Sequence, residues 1–283
     1  MAARPRIVRT VPALRAAVTR LRRAGGKIAL IPTMGALHAG HLTLVRQAKR
    51  RARHVIVSIF VNPAQFAPHE DLATYPRAFD ADLAGLSGTG ADLVWAPSVD
   101  VMYPAGFATR VVPAGPATVG LEDRFRPHFF SGVATVVSKL LIQCQPDYAM
   151  FGEKDYQQLK VVTRLAQDLD LPVTIVGVPT VREPDGLALS SRNAYLSAND
   201  RAAAPVLQQV LKRCAAAIAR GEHLTQVLDE GRSAIEAAGF TLDYLEARNA
   251  ATLEPVANAT DAPLRLLVAA RIGKTRLIDN IAV

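Results

Sequence analysis

The segment Pro32-Thr-Met-Gly-Ala-Leu-His38-Ala-Gly-His41-Leu stands between an apolar run at residues 28–31 and a helical pattern at 41–53. That order, a strand then a glycine-bearing turn then a helix start, narrows the fold to one in which strands are followed by crossover helices. It also predicts a phosphate cradle, because unpaired backbone N–H groups and the positive end of the helix dipole converge at such a turn. His38 and His41 stand in this turn with only small residues between them. An imidazole there can donate hydrogen bonds to phosphate oxygens as negative charge builds on them. A surface turn that merely contains two histidines would read the same, so the surrounding pattern has to decide.

The alternation continues to about residue 180. Residues 54–60 are a nearly unbroken apolar run, as a strand buried on both faces should be. Helix-like segments at 80–88, 131–143 and 156–169 alternate with strand-like ones at 93–96, 148–151 and 173–178, and 11–23 reads as a surface helix. Such alternation predicts right-handed crossovers, hence an α/β fold: a Rossmann-like parallel sheet with helices on both faces. Ligands on such sheets sit past the carboxyl ends of the strands, where strand order reverses. The polar motifs do follow strands: His38 and His41 the first, Asn62 and Gln65 the second, Lys154 and Asp155 another.

Beyond residue 184 the texture changes. An Ala-rich helical segment spans 199–220 and a second spans 224–238, followed by strand-like pieces at 242–246, 264–270 and 275–279. We read residues 1–183 as a Rossmann-like ligand-binding domain and 184–283 as a smaller α+β C-terminal lid domain. Gly273-Lys274-Thr275 looks like the end of a P-loop, but Val268 stands where the required first glycine would be. The segment reads as a hairpin turn between two strands.

A chain of 283 residues, half of them hydrophobic, is long enough to bury a substantial core. No apolar run approaches the roughly 20 residues that span a bilayer, so no membrane association is expected. The arginine-bearing N-terminus lacks a following apolar region, which argues against a secretory signal. Cys144 and Cys214 are the only cysteines, neither in a CxxC pair, which argues against zinc and points to a reducing, cytoplasmic setting. The net charge of +8 fits a protein that handles anionic small molecules, and it also fits nucleic-acid binding. Arginines gather at 15, 20, 22 and 23 and again at 46, 50, 51 and 53, with no aromatic residues interleaved to stack bases. Such helix faces are usually just solvated, and nucleic acid is not the expected partner.

Three further clusters complete the candidate site. In Phe60-Val-Asn62-Pro-Ala-Gln65-Phe, Pro63 stiffens the turn so that Asn62 and Gln65 project fixed amides toward the strand ends. Neutral amides suit the hydroxyl and carboxylate groups of a small polar substrate. In Phe151-Gly152-Glu153-Lys154-Asp155, Gly152 allows close backbone approach and Lys154 offers a mobile point charge for phosphate. Asp155 begins a helix, where it could cap or bind a ribose hydroxyl or magnesium, and Gln158 follows about one turn on. Leu189-Ser190-Ser191-Arg192 puts two hydroxyls beside a planar cation, a compact anion-binding set.

Taken in order, PTMGALHAGHL, FVNPAQF, TYPR, SGVATVVSKLL, FGEKDYQQL, IVGVPTVREPDGLALSSRN and RIGKTRLIDN closely resemble the pantoate–β-alanine ligase family, within the wider HxGH-type nucleotidyl-transferase group. The matching stretches run from about residue 28 to residue 280. The resemblance implies ATP-dependent condensation of pantoate with β-alanine to pantothenate, AMP and pyrophosphate, through an enzyme-bound pantoyl adenylate. It implies ATP as a substrate, Mg²⁺ as the accompanying ion and a homodimer as the assembly. By the same resemblance Met34, Gly35, Ala36, Leu37, His38, Ala39, Gly40 and His41 line the ATP site, His41 being the family's catalytic histidine, with His38 and Lys154 assisting. Gly152, Glu153, Lys154 and Asp155 join the nucleotide site, Val181 lies near the adenine, and Leu189, Ser190, Ser191 and Arg192 cover the triphosphate. Gln65 and Gln158, with Asn62, hold pantoate; Gln65 also meets β-alanine; Asp82 is the metal candidate.

One departure stands out. Many relatives read Arg-Pro-x-His-Phe-x-Gly-Val, whereas here His128 comes one place early and Phe129 fills its slot, so no role passes to His128. A nucleotidyltransferase acting on a phosphorylated acceptor could use the same cradle, but it would need basic residues where Asn62, Gln65 and Gln158 stand. No Ser or Cys nucleophile is required for the ligase reaction, because ATP itself activates the acid.

Overall fold

The computed structural model describes residues 4–67, 70 and 72–283. A six-stranded, wholly parallel sheet contains β1 (Arg6–Val8), β2 (Ile28–Thr33), β3 (His54–Ile59), β4 (Leu93–Trp95), β5 (Tyr148–Gly152) and β6 (Thr174–Val178), in the order β1-β4-β3-β2-β5-β6. Its helices are α1 (Val11–Arg23), α2 (Ala39–Arg51), α3 (Phe79–Leu86), the short α4 (Val99–Met102) and α5 (Glu122–Phe125), α6 (Phe129–Cys144) and α7 (Tyr156–Asp168).

Strand periodicity explains the two-sided packing. Ile28, Leu30, Ile56, Trp95, Ala149 and Phe151 point to one face, where they meet Leu14 of α1 and the apolar side of α6 and α7. Their neighbours Ala29, Ile31, Val55, Val57, Val94 and Met150 point to the other face, against Leu44, Val45 and Ala48 of α2 and Leu86 of α3. With both faces covered, an alternating polar pattern would be penalised everywhere, which is why β2 and β3 read as continuous apolar runs. The arginines at 15, 20, 22 and 23 of α1, and at 46, 50 and 51 of α2, are exposed on the outer faces.

The remaining chain forms α8 (Ala198–Ala203), α9 (Val206–Ala219), α10 (Leu224–Ala237) and an antiparallel sheet in the order β7 (Thr241–Asn249), β8 (Leu264–Ile272), β9 (Thr275–Ala282). One face of this sheet packs on α9 and α10; from the other, Tyr244, Leu267 and Ala269 join the core of the parallel sheet. The 273–274 turn is the expected hairpin, with Gly273 at φ +55°.

Two expectations are corrected here. The helix expected at 199–220 is two, α8 and α9, because Pro205 supplies no N–H to the turn before it. The strand β1 was not anticipated; it is three residues long at the sheet edge, too short to show a period, and only pairing with β4 reveals it.

Candidate active site

The strand order reverses between β2 and β5: chain after β2 builds outward through β3 and β4, while β5 and β6 add on the opposite side. Beyond the carboxyl ends of these strands opens a cleft of about 800 Å³. The turn after β2 is tied down from below. Thr33 Oγ1 donates to Ser58 O at 2.7 Å and accepts from Gly35 N at 3.2 Å. Gly35 sits at φ +86°, with Asp82 packed so close that an added Cβ would approach Oδ2 to 3.1 Å.

Asp82 itself, expected as a metal ligand, does something else. It is buried at 3% exposure, and its Oδ2 and Oδ1 accept the backbone N–H groups of Ala36 and Leu37 at 3.0 and 2.7 Å. Burial raises its pKa, and those two amides work against the rise. Asp82 lies behind the turn, outside the cleft, and no group of three His, Cys, Asp or Glu able to hold a metal occurs among the described residues.

The cradle is also built differently from the expected one. Instead of offering a row of unpaired amides, the turn pairs most of them internally: Gly35 to Thr33, Ala36 and Leu37 to Asp82, His38 to His41, and Gly40 to His38. His38 N donates to His41 Nδ1 at 3.3 Å, and Gly40 N donates to His38 Nδ1 at 3.2 Å. Because each Nδ1 accepts a backbone proton, the neutral tautomer of each ring carries its hydrogen on Nε2. The rings lie 4.1 Å apart, and a Cβ at residue 40 would stand 2.9 Å from the His38 ring, so only glycine fits there. Burial, then the nearby Lys154 charge, brings His38 down to about 4, while Asp155 pulls weakly the other way. Burial, then His38 and Lys154, brings His41 down to about 3. Both are neutral N–H donors at physiological pH.

Met34, Gly152, Lys154, Asp155, Gln158, Val181 and the 189–192 segment line the same cleft. Lys154 Nζ lies 3.8 Å from Asp155 Oδ2, an ion contact too long for a hydrogen bond. A Cβ on Gly152 would meet nothing within 4 Å, so the glycine leaves the cleft open at that point. Leu189 N donates to Val181 O at 3.0 Å, bringing those residues together, and Ser190 Oγ accepts from Arg192 N at 3.3 Å. Ser191 Oγ lies 3.2 Å from the Tyr75 hydroxyl, tying this loop to the segment that contains TYPR. Gly35, Ala36, Leu37 and Ala39 do not face the cleft, and Glu153 turns away to pair with Arg265 at 3.2 Å.

Asn62, expected on the substrate, borders the cleft, with its amide engaged inside the protein. At 1% exposure its Oδ1 accepts from Ala64 N and the Tyr103 hydroxyl, at 3.2 and 2.8 Å, and its Nδ2 donates to Gly132 O and Gln65 Oε1, at 3.1 and 3.0 Å. All four hydrogen-bonding positions of its amide are used. Gln65 therefore presents its Nε2 side outward, beside Met34 Sδ at 3.1 Å. Gly132 of α6 makes the brace possible, since a Cβ there would fall 2.2 Å from Ala64 O. Gln158 lines the cleft with no hydrogen-bond partner among the described residues.

Sequence reading missed the opposite wall. Arg126 grips Glu70 with two bonds of 2.7 Å and lies 3.8 Å over the Phe129 ring. Phe129 lines the cleft, whereas His128 is exposed outside it. Glu122, 6% exposed, accepts from both Nη atoms of Arg276 at 2.7 and 2.8 Å and from the Tyr244 hydroxyl at 2.8 Å. Burial acts to raise the Glu122 carboxyl, but the Arg276 fork outweighs it and the net shift is downward. The Arg276 signal lies in the RIGKTRLIDN stretch, which carries the family resemblance and the hairpin turn but singles out no residue for the site.

The family model described as pantoate-beta-alanine ligase matches residues 6–282. The chain belongs to the pantoate–β-alanine ligase family. A pantothenate synthetase of Nitrobacter winogradskyi is 64% identical over 99% of both chains. A crystal structure of pantothenate synthetase from Thermus thermophilus superposes with a TM-score of 0.92 at 49% identity, covering 98% of each chain. A pantoate–β-alanine ligase from Francisella tularensis, complexed with an ATP species and β-alanine, matches with a TM-score of 0.82 at 34% identity over 98% of this chain and 97% of that one. The enzyme is thus an AMP-forming ligase of pantothenate biosynthesis, condensing pantoate with β-alanine at the expense of ATP. No helix among the described residues is long and apolar enough to cross a membrane.

Proposed function

We propose that the cleft between β2 and β5 holds ATP and pantoate together and then takes β-alanine, and that this chain's own residues divide the work as follows. The pantoate carboxylate attacks the α-phosphorus of ATP, pyrophosphate leaves, and the amine of β-alanine then attacks the acyl carbon of the adenylate and expels AMP. Negative charge grows on phosphate oxygens in the first step. His41 and His38 meet it with Nε2–H donors, and Lys154 meets it with a full charge. Keeping the imidazoles neutral spares the turn after β2 two further cations beside Lys154. Gly152, Asp155, Val181, Leu189, Ser190, Ser191 and Arg192 border the nucleotide, with Arg192 and the serines over the phosphates. Gln65 and Gln158 direct amide groups at pantoate, and Gln65 also meets β-alanine.

The observation that carries this reading is the pair of neutral imidazoles with Lys154 at the reversal point of the sheet. Mg²⁺ fits as an ion brought in on ATP, because Mg²⁺ keeps waters and phosphate oxygens as its main ligands and needs few protein carboxylates. It would neutralise phosphate charge; with Asp82 engaged by backbone amides, no carboxylate of this chain is assigned to it. The family reading also carries a cytoplasmic homodimer, and a division at residue 183/184 with the C-terminal part closing over the nucleotide.

The test is pyrophosphate release from ATP and magnesium, with and without pantoate, before β-alanine is added. Release should depend on pantoate, and AMP should appear only when β-alanine follows. Release indifferent to pantoate would remove the acid from the site while leaving the nucleotide there.

A further inference from the structure

The loop that carries Lys154 is held from the other sheet. Asn280 of β9 is buried at 3% exposure, and its Nδ2 donates to two consecutive carbonyls, Glu153 O at 2.9 Å and Lys154 O at 2.8 Å. The amide cannot be turned round. Its Oδ1 accepts from Arg265 Nε at 2.7 Å, and a guanidinium only donates. Arg265 in turn reaches Glu153 Oε2 at 3.2 Å and lies 4.1 Å over the Tyr156 ring, so both ends of the 153–156 turn are gripped by one pair of neighbouring strands. Asn280 is itself steadied, since the carboxylate of the adjacent Asp279 takes both Nη groups of Arg182 at 2.6 and 2.8 Å. Arg182 adjoins Val181, on the opposite side of the nucleotide site.

We infer that Asn280 is a positioning residue for Lys154: it sets the height of the 153–155 backbone over the cleft and couples adenylate formation to the seating of the C-terminal sheet. A side chain as long as lysine cannot hold a fixed position unless its backbone is fixed. The only side chain that donates to the carbonyls of residues 153 and 154 among the described residues is that of Asn280. The inference rests on Lys154 serving the phosphates, as proposed above.

Asn280→Asp is the informative change. It is isosteric and keeps the acceptor for Arg265, but it puts an oxygen where two carbonyls need a donor. Pantoate-dependent pyrophosphate release should fall about 10²-fold, the scale of a misplaced catalytic group. The pantoate dissociation constant should change far less, because Gln65 sits on another element and Gln158 is carried by the hydrogen-bonded α7 rather than by the 153–155 turn. The decisive readout is a double-mutant cycle with Lys154→Met. In that background Asn280→Asp should cost nothing further, since the group it positions is gone. Independent, multiplicative losses would overturn the inference and leave Asn280 with a purely structural role. If Lys154→Met alone leaves pyrophosphate release intact, the phosphate role of Lys154 fails instead, and the two failures are told apart. Should Asn280→Asp not fold, Asn280→Ser, which retains a single donor, goes through the same cycle with the same two readings.

Discussion

Two ionisable clusters line one cleft and both feel desolvation, yet they end in opposite states. On the β2 side, His38 and His41 are driven to about 4 and about 3 by burial and by the cation Lys154, and they stand neutral. On the far side, Glu122 is more deeply buried than either, but the Arg276 fork and the Tyr244 hydroxyl keep it ionised. Desolvation penalises charge in both places; a partner of opposite sign at hydrogen-bond distance reverses the outcome in only one. The neutral pair is free to donate to charge that develops during the reaction. The charged pair is saturated and serves instead to lock β9 onto the parallel-sheet domain, helped by Asp243 at 2.6 Å from Arg276.

That contrast can be broken in graded steps. Glu122→Ala should produce the largest effect, a loss of about 3–5 kcal/mol in unfolding free energy, because Arg276 is left half-paired in a buried setting. Denaturant unfolding at neutral pH checks it, and an unchanged midpoint would mean that the cluster does not hold the two sheets together. His41→Ala should leave stability nearly intact but lower pyrophosphate release by about 10²-fold or more. Near-normal release in that variant would strip His41 of its assigned role.

Asp82→Asn should come next, with roughly a tenfold loss of activity, since one of the two turn amides loses its acceptor. The Mg²⁺ concentration for half-maximal rate should stay where it is; a large increase would return Asp82 to the metal. The smallest change is Tyr103→Phe, which removes one of four bonds to Asn62 and should cost about 1 kcal/mol of stability while leaving ATP use unaltered.

The pH dependence sharpens the comparison further. A histidine whose folded pKa lies below its unfolded value binds fewer protons in the fold, so stability rises with pH across the gap. The contribution is fully lost only toward pH 4 and 3 and is complete above the ordinary histidine value of 6.5. NMR titration of the His38 and His41 Cε1–H resonances should show no midpoint near 6.5. A normal midpoint would make them imidazolium in the working enzyme.

Much of this site was legible in one dimension. The strand, turn and helix around His38 and His41 could be read because local chemistry dictates each: apolar β2, the small residues Ala39 and Gly40 at the helix start, and the α2 period. The clustering of Lys154, Gln158 and Arg192 in the cleft was foreseen from their positions after strands and from family resemblance. The ligand duties expected of Asn62 and Asp82 rest on a common inference. A polar residue next to a site reads as a ligand, and only the full set of hydrogen bonds reveals that all the valences of Asn62 and both oxygens of Asp82 face inward.

From the sequence alone come the parallel α/β architecture, the family, the reaction and the side chains that bring charge and donors to it. These follow from periodicity, turn chemistry and motif order, which are local along the chain. Tertiary structure alone decided that the turn amides are already paired, that the imidazoles are neutral Nε2–H donors, and that Asn280 and Arg276 reach back from the last strand. Burial and long-range hydrogen bonding join residues far apart in the chain, from 45 for Leu37 and Asp82 to 154 for Glu122 and Arg276, and no local pattern encodes the distance between them.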